Sequence, residues 1–169
     1  MSDLISVADA RGKILKRLTT LSTEKITLEK AIHRVLAEDV VSSIDFPMHP
    51  TSSMDGYAAK SADVELSTTN QPTRLVVIED IPAGVPPTRI IGSGQCARIM
   101  TGAIVPEGAD LVVPIEWTNV PDNLEDIIGK EVEIKKGGAP GLYIRPTGQD
   151  ISAGQALINS GTVLQPYHL

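Results

Sequence analysis

The spacing of apolar residues changes after about the first quarter of the chain. Before this point they recur at steps of three and four residues, the period of an amphipathic helix. We predict two helices there, the first capped by Ser6 and the second by Thr27. Beyond Asp45 the apolar residues form short runs typical of strands. These runs are Leu75–Ile78, Ala97–Met100, Leu111–Val113 and Glu131–Lys135.

Proline and glycine separate the strand-like runs, as in segments 82–84, 92–94, 106–108 and 137–141. These segments contain more proline and glycine than an α/β crossover connection tolerates. This composition favours a coiled β lobe. In segment 151–164 glycine recurs at a seven-residue step, with a leucine three residues after each, which indicates a small β unit. We therefore predict an α+β, mostly β fold: two N-terminal helices, a coiled strand-rich lobe and a small β unit.

Composition excludes several classes of protein. The 169 residues are 41% hydrophobic, enough for one ordinary core or two small lobes. Aromatic residues make up only 3% and the net charge is -6, so nucleic acid is not an expected partner. No apolar run approaches the roughly 20 residues needed to cross a bilayer, which excludes membrane insertion. A single cysteine, Cys96, and a start without a signal-peptide pattern predict a cytoplasmic protein.

The segment Ser52–Ala58 places a carboxylate, Asp55, where neither a helix nor a sheet is expected. Pro47 and Pro50 stiffen the approach to it, and Gly56 can adopt a positive φ angle. One interpretation is a shaped acidic loop with a functional carboxylate. The alternative is an ordinary Asp-Gly turn that leads into a strand.

Two other segments could carry chemistry. In Met100–Ala103, the Thr101 hydroxyl and backbone N–H groups at a strand end could cradle an oxyanion, and Gly102 would admit a ligand closely. Thr-Gly is also common at the ends of strands. Further along, Arg145 and Asp150 flank a rigid turn, where a guanidinium suits phosphate or carboxylate recognition. The alternative is an Arg-Asp pair that braces its own loop.

Soft-metal chemistry is not expected. The three histidines, His33, His49 and His168, show no metal-ligand spacing, and there is no P-loop or dinucleotide fingerprint. Glu116, beside Trp117, is interpreted as a structural residue at a strand edge. A Mg²⁺ site built from Asp and Glu stays open, because hard cations prefer oxygen ligands.

Three motifs, in this order along the chain, resemble those of the molybdenum insertase family, MoeA in bacteria and the gephyrin E domain in animals. They are Ser-x-Met-Asp-Gly-Tyr-Ala at 52–58, Met-Thr-Gly-Ala-x-Val-Pro-Glu-Gly-Ala-Asp at 100–110, and Arg-x-x-Gly-x-Asp-Ile at 145–151. Residues 31–39 are similar to the family's Ala-x-x-Arg-Val-Leu-Ala-Glu-Asp helix. The resemblance covers essentially the whole chain.

This resemblance implies a molybdopterin molybdenumtransferase, a transferase of molybdenum cofactor biosynthesis. Such an enzyme inserts molybdate into adenylated molybdopterin and releases AMP with the help of Mg²⁺. The resemblance implies catalytic roles for Asp55, Thr101 and Asp150, and substrate-binding roles for Ser52, Gly102 and Arg145. It leaves the metal ligands unknown. The rival function is a β-rich protein-interaction scaffold without catalysis.

The resemblance also implies a domain organisation. Residues 1–22 form an N-terminal helix, residues 23–43 and 147–169 a small α/β lobe, and residues 44–146 a β-rich lobe. Family members continue into a catalytic molybdopterin-binding domain, whereas this chain ends at Leu169. We therefore expect the chain to be inactive alone. The family works as a homodimer, in which this region faces the catalytic domain of the other subunit. Molybdopterin adenylyltransferase and other proteins of cofactor biosynthesis are further possible partners.

Overall fold

The computed structural model describes residues 4–119 and 126–169. No helix in these ranges is long and apolar enough to span a membrane; the cytoplasmic location stays a prediction. The helices are α1 (Val7–Leu15) and α2 (Ser61–Val64), with single 3-10 turns at Leu28–Lys30, Ile115–Trp117 and Pro166–His168. The strands are β1 (Val40–Val41), β2 (Thr51–Ser52), β3 (Gly56–Ala59), β4 (Thr73–Ile81), β5 (Gln95–Ile99), β6 (Leu111–Pro114), β7 (Glu131–Ile134), β8 (Ile144–Arg145) and β9 (Ala156–Ile158).

The first predicted helix begins where its cap was expected. Ser6 Oγ accepts a hydrogen bond from the Asp9 backbone N–H at 3.1 Å, as a capping residue should. The α-helix ends at Leu15 and buries none of its residues. Soon after its end come Thr19 and Thr20, whose branched side chains and hydroxyl groups disfavour a continued helix.

The second predicted helix is only one 3-10 turn, Leu28–Lys30, and Thr27 makes no side-chain capping bond to it. Its apolar residues pair instead with the end of the chain. Val35 forms an antiparallel bridge with Val163, and the Leu36 N–H donates to the Thr162 carbonyl at 2.9 Å. The helix predicted from this spacing is therefore mostly absent, because backbone hydrogen bonds to residues far along the chain replace those that a helix would have made.

The chain forms two compact units. The first comprises Met1–Val40 with Ala156–Leu169, and the second comprises Val41–Gln155. The lobe boundaries expected from the family resemblance, at 43/44 and 146/147, stay a prediction.

A five-stranded sheet forms the centre of the second unit, in the order β6-β3-β5-β4-β7. All neighbours are antiparallel except β4 and β5, which run parallel. The four strand-like runs of the sequence all fall on strands of this sheet, β4 to β7. The β4–β5 register shifts between Val77 and Glu79, an irregularity that bends and twists a strand. The mostly β fold class is confirmed.

The core covers both faces of this sheet and is mainly aliphatic, with Tyr57 as its one fully buried aromatic residue within the described ranges. Strand β3 is buried at every residue, because it lies inside the sheet and both of its faces are covered. Cys96 is buried in the same core. Burial raises the pKa of its thiol to about 12, so Cys96 is the small hydrophobic residue that the sequence predicted.

Candidate functional site

The acidic loop before β3 is held in place at both ends. At its start, Ser52 belongs to β2, which pairs with β8. The Ser52 hydroxyl donates to the Met54 carbonyl at 2.6 Å and accepts from the Met54 N–H at 3.2 Å, which closes a local turn. At its end, the Asp55 carbonyl accepts from the Ile115 N–H at 3.1 Å. The backbone on either side of the Asp55 side chain is therefore fixed.

Asp55 and Thr101, two of the three residues with an implied catalytic role, are in direct contact. The Thr101 hydroxyl and backbone N–H each donate to Asp55 Oδ1 at 2.6 Å. These hydrogen bonds, the hydroxyl's first and the N–H's second, lower the pKa of Asp55 below its ordinary value. Asp55 is consequently an ionised, exposed carboxylate that joins the acidic loop to the loop after β5.

The Thr101–Gly102 loop uses its donors within the protein. The Gly102 N–H donates to the Ser52 carbonyl at 2.8 Å, and the Ser52 N–H donates to the Ala103 carbonyl at 2.9 Å. Since the Thr101 N–H is bonded to Asp55, neither N–H group is available for an oxyanion in this arrangement. Gly102 has a φ angle of 83°, which favours glycine at this turn. The loop's observed role is to hold the acidic loop.

Gly56 is required for a different reason from the one expected. Its φ angle is not positive, so the capacity of glycine for a left-handed conformation is not used here. A Cβ atom at this position would lie 2.0 Å from the Val113 carbonyl oxygen, where β3 pairs with β6. The position therefore demands glycine because another backbone approaches it closely.

Arg145 and Asp150 form an ion pair across their turn, and their side chains are 39% and 40% exposed. The Asp150 N–H donates to the Phe46 carbonyl at 3.0 Å, and the Gly148 N–H donates to the Pro47 carbonyl at 2.9 Å. The pair thus braces its own loop, the alternative that the sequence left open. Through the β2–β8 pairing, in which Arg145 lies opposite Thr51, this loop is anchored to the strand that leads into the acidic loop.

A cavity of about 160 Å³ opens beside Asp55. Its wall contains two charged residues, Arg98 and Glu116, that the sequence did not mark as functional. Glu116 was expected to be a structural edge residue, whereas it shares this cavity with Asp55. The pairing of Gly56 with Pro114 explains this, because it brings the residues after β6 to the start of β3. The remaining lining residues are Gly56, Met100 and Ile115.

Comparisons with known proteins agree with the sequence motifs. The fold matches part of the solved structures of molybdopterin biosynthesis proteins. A family model described as the MoeA N-terminal region (domain I and II) matches residues 5–169. The chain belongs to this family, which confirms the resemblance.

The chain spans between about a third and about two fifths of the length of the similar proteins it matches. It is 38% identical to molybdopterin molybdenumtransferase 2 of Mycobacterium tuberculosis (strain CDC 1551 / Oshkosh) over 161 residues, 95% of this chain and 38% of the relative. It is 37% identical to the molybdopterin molybdenumtransferase of Bacillus subtilis over 144 residues, 85% of this chain and 33% of the relative. The crystal structure of the molybdopterin biosynthesis moeA protein from Pyrococcus horikoshii OT3 matches with a TM-score of 0.85 and 30% identity, over 98% of this chain and 42% of that one.

Proposed function

We propose that the chain is the N-terminal region of a molybdopterin molybdenumtransferase, which inserts molybdate into adenylated molybdopterin and releases AMP. The observation that carries the proposal is the Asp55 carboxylate, held by both donors of Thr101. The two residues come from separate motifs, at 52–58 and 100–110, and the similar proteins of Mycobacterium tuberculosis and Bacillus subtilis bear the name of this transferase. In this proposal the catalytic domain corresponds to the part of those relatives that this chain does not cover.

The roles of the site residues follow from their bonds. Asp55 is a poor general acid near neutral pH, since its lowered pKa keeps it ionised. It can accept a hydrogen bond from a substrate or water and set the orientation of that group. The planar guanidinium group of Arg145 is suited to bind a phosphate oxygen of the adenylated substrate, and this contact would replace its ion pair with Asp150. Ser52, Gly102 and Thr101 keep the acidic loop in position.

Mg²⁺ is implied by the family and is not supported by the residues present. Within the described ranges, no three Asp, Glu, His or Cys side chains come together as a metal site. Asp55 Oδ1 is bonded to Thr101, and Asp150 is paired with Arg145. The roles proposed for these residues therefore involve no bound Mg²⁺ ion. Molybdate and adenylated molybdopterin enter the proposal as substrates.

The chain alone should release no AMP from adenylated molybdopterin in a molybdate-dependent way, because it lacks a nucleotide-binding motif. A chimera in which this chain replaces the matching region of the Bacillus subtilis relative should release AMP. The measurement is AMP formation by chromatography, with and without molybdate. The native Bacillus protein is the positive control. A folded chimera without activity would contradict the proposed function, and activity of the chain alone would contradict the proposed division of labour.

We also propose that the protein forms a homodimer, and that apolar residues at its N-terminus contribute. Ile14 and Leu18 are 61% and 66% exposed, and α1 has no buried residue. Contact between two copies would remove this apolar surface from water. Light scattering should give the mass of a dimer, and changing both residues to serine should weaken it. A monomer at high protein concentration would count against this proposal. Contacts with molybdopterin adenylyltransferase or other biosynthesis proteins stay a proposal.

A further inference from the structure

Tyr143 has a backbone conformation that an aromatic residue rarely adopts. Its φ angle is 56°, in the left-handed region, where the Cβ atom of most residues crowds the backbone. Glycine avoids that crowding, and Gly141, two residues earlier, has a φ angle of 84°. A side chain in this region persists only where its surroundings hold it there. The strain at Tyr143 therefore indicates a use for its side chain, because glycine would form the same turn without strain.

The backbone of Tyr143 holds the acidic loop. Its carbonyl oxygen accepts two hydrogen bonds from Ser53, one from the N–H at 2.9 Å and one from the hydroxyl at 3.1 Å. Ser53 lies two residues before Asp55, and its neighbour Ser52 closes the turn that precedes this carboxylate. The direction of a carbonyl group follows from the backbone dihedral angles. The left-handed conformation of Tyr143 therefore aims this acceptor at the loop.

The ring of Tyr143 holds a second segment of the chain. It meets the ring of Trp117 edge to face, with the centroids 5.9 Å apart and an angle of 68° between the planes. The Lys136 Nζ atom lies 4.0 Å from the centroid of the Trp117 ring and restrains this ring further. Trp117 directly follows Glu116, which lines the cavity beside Asp55. The two attachments of Tyr143 therefore lead to the two carboxylate side chains at this cavity.

Packing of the core does not account for this arrangement. Tyr143 is half-buried and packs against the buried residues on one face of the sheet, whereas Trp117 packs against those on the other face. The two rings meet beside β6, where the Val112 N–H donates to the Leu142 carbonyl at 3.0 Å. Because neither ring is fully buried, a smaller residue at position 143 should leave both parts of the core in place. What it would remove is the connection between the two segments at the cavity.

We propose that Tyr143 is a positioning residue of the candidate site. Its carbonyl group orients the acidic loop through Ser53, and its ring orients the segment of Glu116 through Trp117. A substrate that enters the cavity would then meet Asp55 and Glu116 at a fixed separation, and such orientation lowers the barrier of a reaction. Tyr143 need not touch the substrate. This inference rests on the proposed function, in which the cavity beside Asp55 serves the reaction.

Hydrogen exchange of the chain tests the link to the acidic loop without an assay of activity. Tyr143→Asn removes the ring, but asparagine tolerates the left-handed conformation and keeps the carbonyl group. The Ser53 amide should exchange roughly tenfold faster in this variant, because the turn opens more often once Trp117 no longer holds it. Tyr143→Phe keeps the ring and should exchange at the wild-type rate. An unchanged Ser53 exchange rate in folded Tyr143→Asn would overturn the proposal.

Kinetics of the chimera test the effect on the site. Tyr143→Asn should lower kcat for AMP release roughly tenfold and change the KM for adenylated molybdopterin less than about twofold, because orientation is lost while binding contacts stay. Its urea midpoint should stay within about 0.5 M of the wild type. Tyr143→Phe should keep the wild-type kcat. A rise in KM alone, or a loss of kcat that accompanies a larger shift of the urea midpoint, would contradict a positioning role.

Tyr167→Asn is the matched control for the loss of a tyrosine ring. Tyr167 also makes an edge-to-face contact, with the His168 ring at 4.3 Å between centroids. It is 82% exposed and belongs to the other compact unit. The control variant should keep the wild-type Ser53 exchange rate and the wild-type kcat. Effects as large as those of Tyr143→Asn would show that the response is not specific to position 143, and the proposal would fail.

Ser53→Ala keeps the test decisive if Tyr143→Asn does not fold. It removes one of the two donors to the Tyr143 carbonyl and leaves both rings in place, so kcat should fall by about threefold. If Asp55→Asn leaves the chimera active, the proposed function fails. If Asp55→Asn abolishes activity while Ser53→Ala and every folded variant of Tyr143 keep the wild-type kcat, only the role of Tyr143 fails.

Discussion

Asp55→Asn should lower molybdate-dependent AMP release by the chimera at least about 100-fold, the usual cost of removing an electrostatic group from an active site. Asparagine keeps an oxygen that can accept hydrogen bonds from Thr101, so the loops should remain joined. What it removes is the negative charge. The rate should be measured under saturating substrate, with near-ultraviolet circular dichroism to show an unchanged fold.

Asp39→Asn supplies the matched control for this loss. Asp39 is also exposed, and its carboxylate accepts one backbone bond, from the Ser160 N–H at 2.7 Å, in the other compact unit. The control variant should keep wild-type activity. Full activity of Asp55→Asn would reject the catalytic role of Asp55 and favour the scaffold function, which needs no intact acidic loop.

Gly56→Ala should destabilise the second unit by about 3 kcal/mol, at the upper end of the usual cost of overpacking. The new methyl group would lie 2.0 Å from the Val113 carbonyl oxygen, and this atom belongs to backbone that cannot rotate away. Strands β3 and β6 would have to separate locally. Urea unfolding followed by the fluorescence of Trp117, the single tryptophan, measures the change in this unit.

Gly92→Ala is the control in the same unit. The nearest atom to its new methyl group would be Gln95 Oε1 at 2.9 Å, at the end of a flexible side chain. This variant should stay within about 1 kcal/mol of the wild type. Equal stability of Gly56→Ala and the wild type would show that β3 and β6 can move apart, and that position 56 does not require glycine.

The sequence predicted four of the five strands of the central sheet, because these four are short apolar runs between turns; β3 was not among the runs. It was less successful at residues 28–36, where helical spacing produced only one 3-10 turn. The distant partner of that segment, around Val163, is not visible in a local pattern. Local periodicity cannot show which backbone bonds a segment will make with residues far along the chain.

The candidate site was predictable in its motifs and not in its contacts. Asp55 was marked because it lies between prolines and a glycine, and Thr101 because its hydroxyl group follows a strand; the structure joins them. Arg98 and Glu116 were missed because their position depends on strand register: Tyr57 opposite Arg98, and Gly56 opposite Pro114. The need for glycine at position 56 could not be predicted for the same reason, because the close approach of β6 to β3 is a property of the assembled sheet.

The complete burial of β3 has a consequence for how the acidic loop can move. Asp55 immediately precedes this strand, which is paired on both sides within the sheet. Fluctuations that release Asp55 from its place would have to open the middle of the sheet, and such openings cost nearly as much as unfolding the whole unit. We therefore expect the amide groups of β3, directly after this surface carboxylate, to exchange slowly with solvent. Substitutions that weaken the distant core would therefore shorten the time for which the loops around Asp55 keep their folded arrangement.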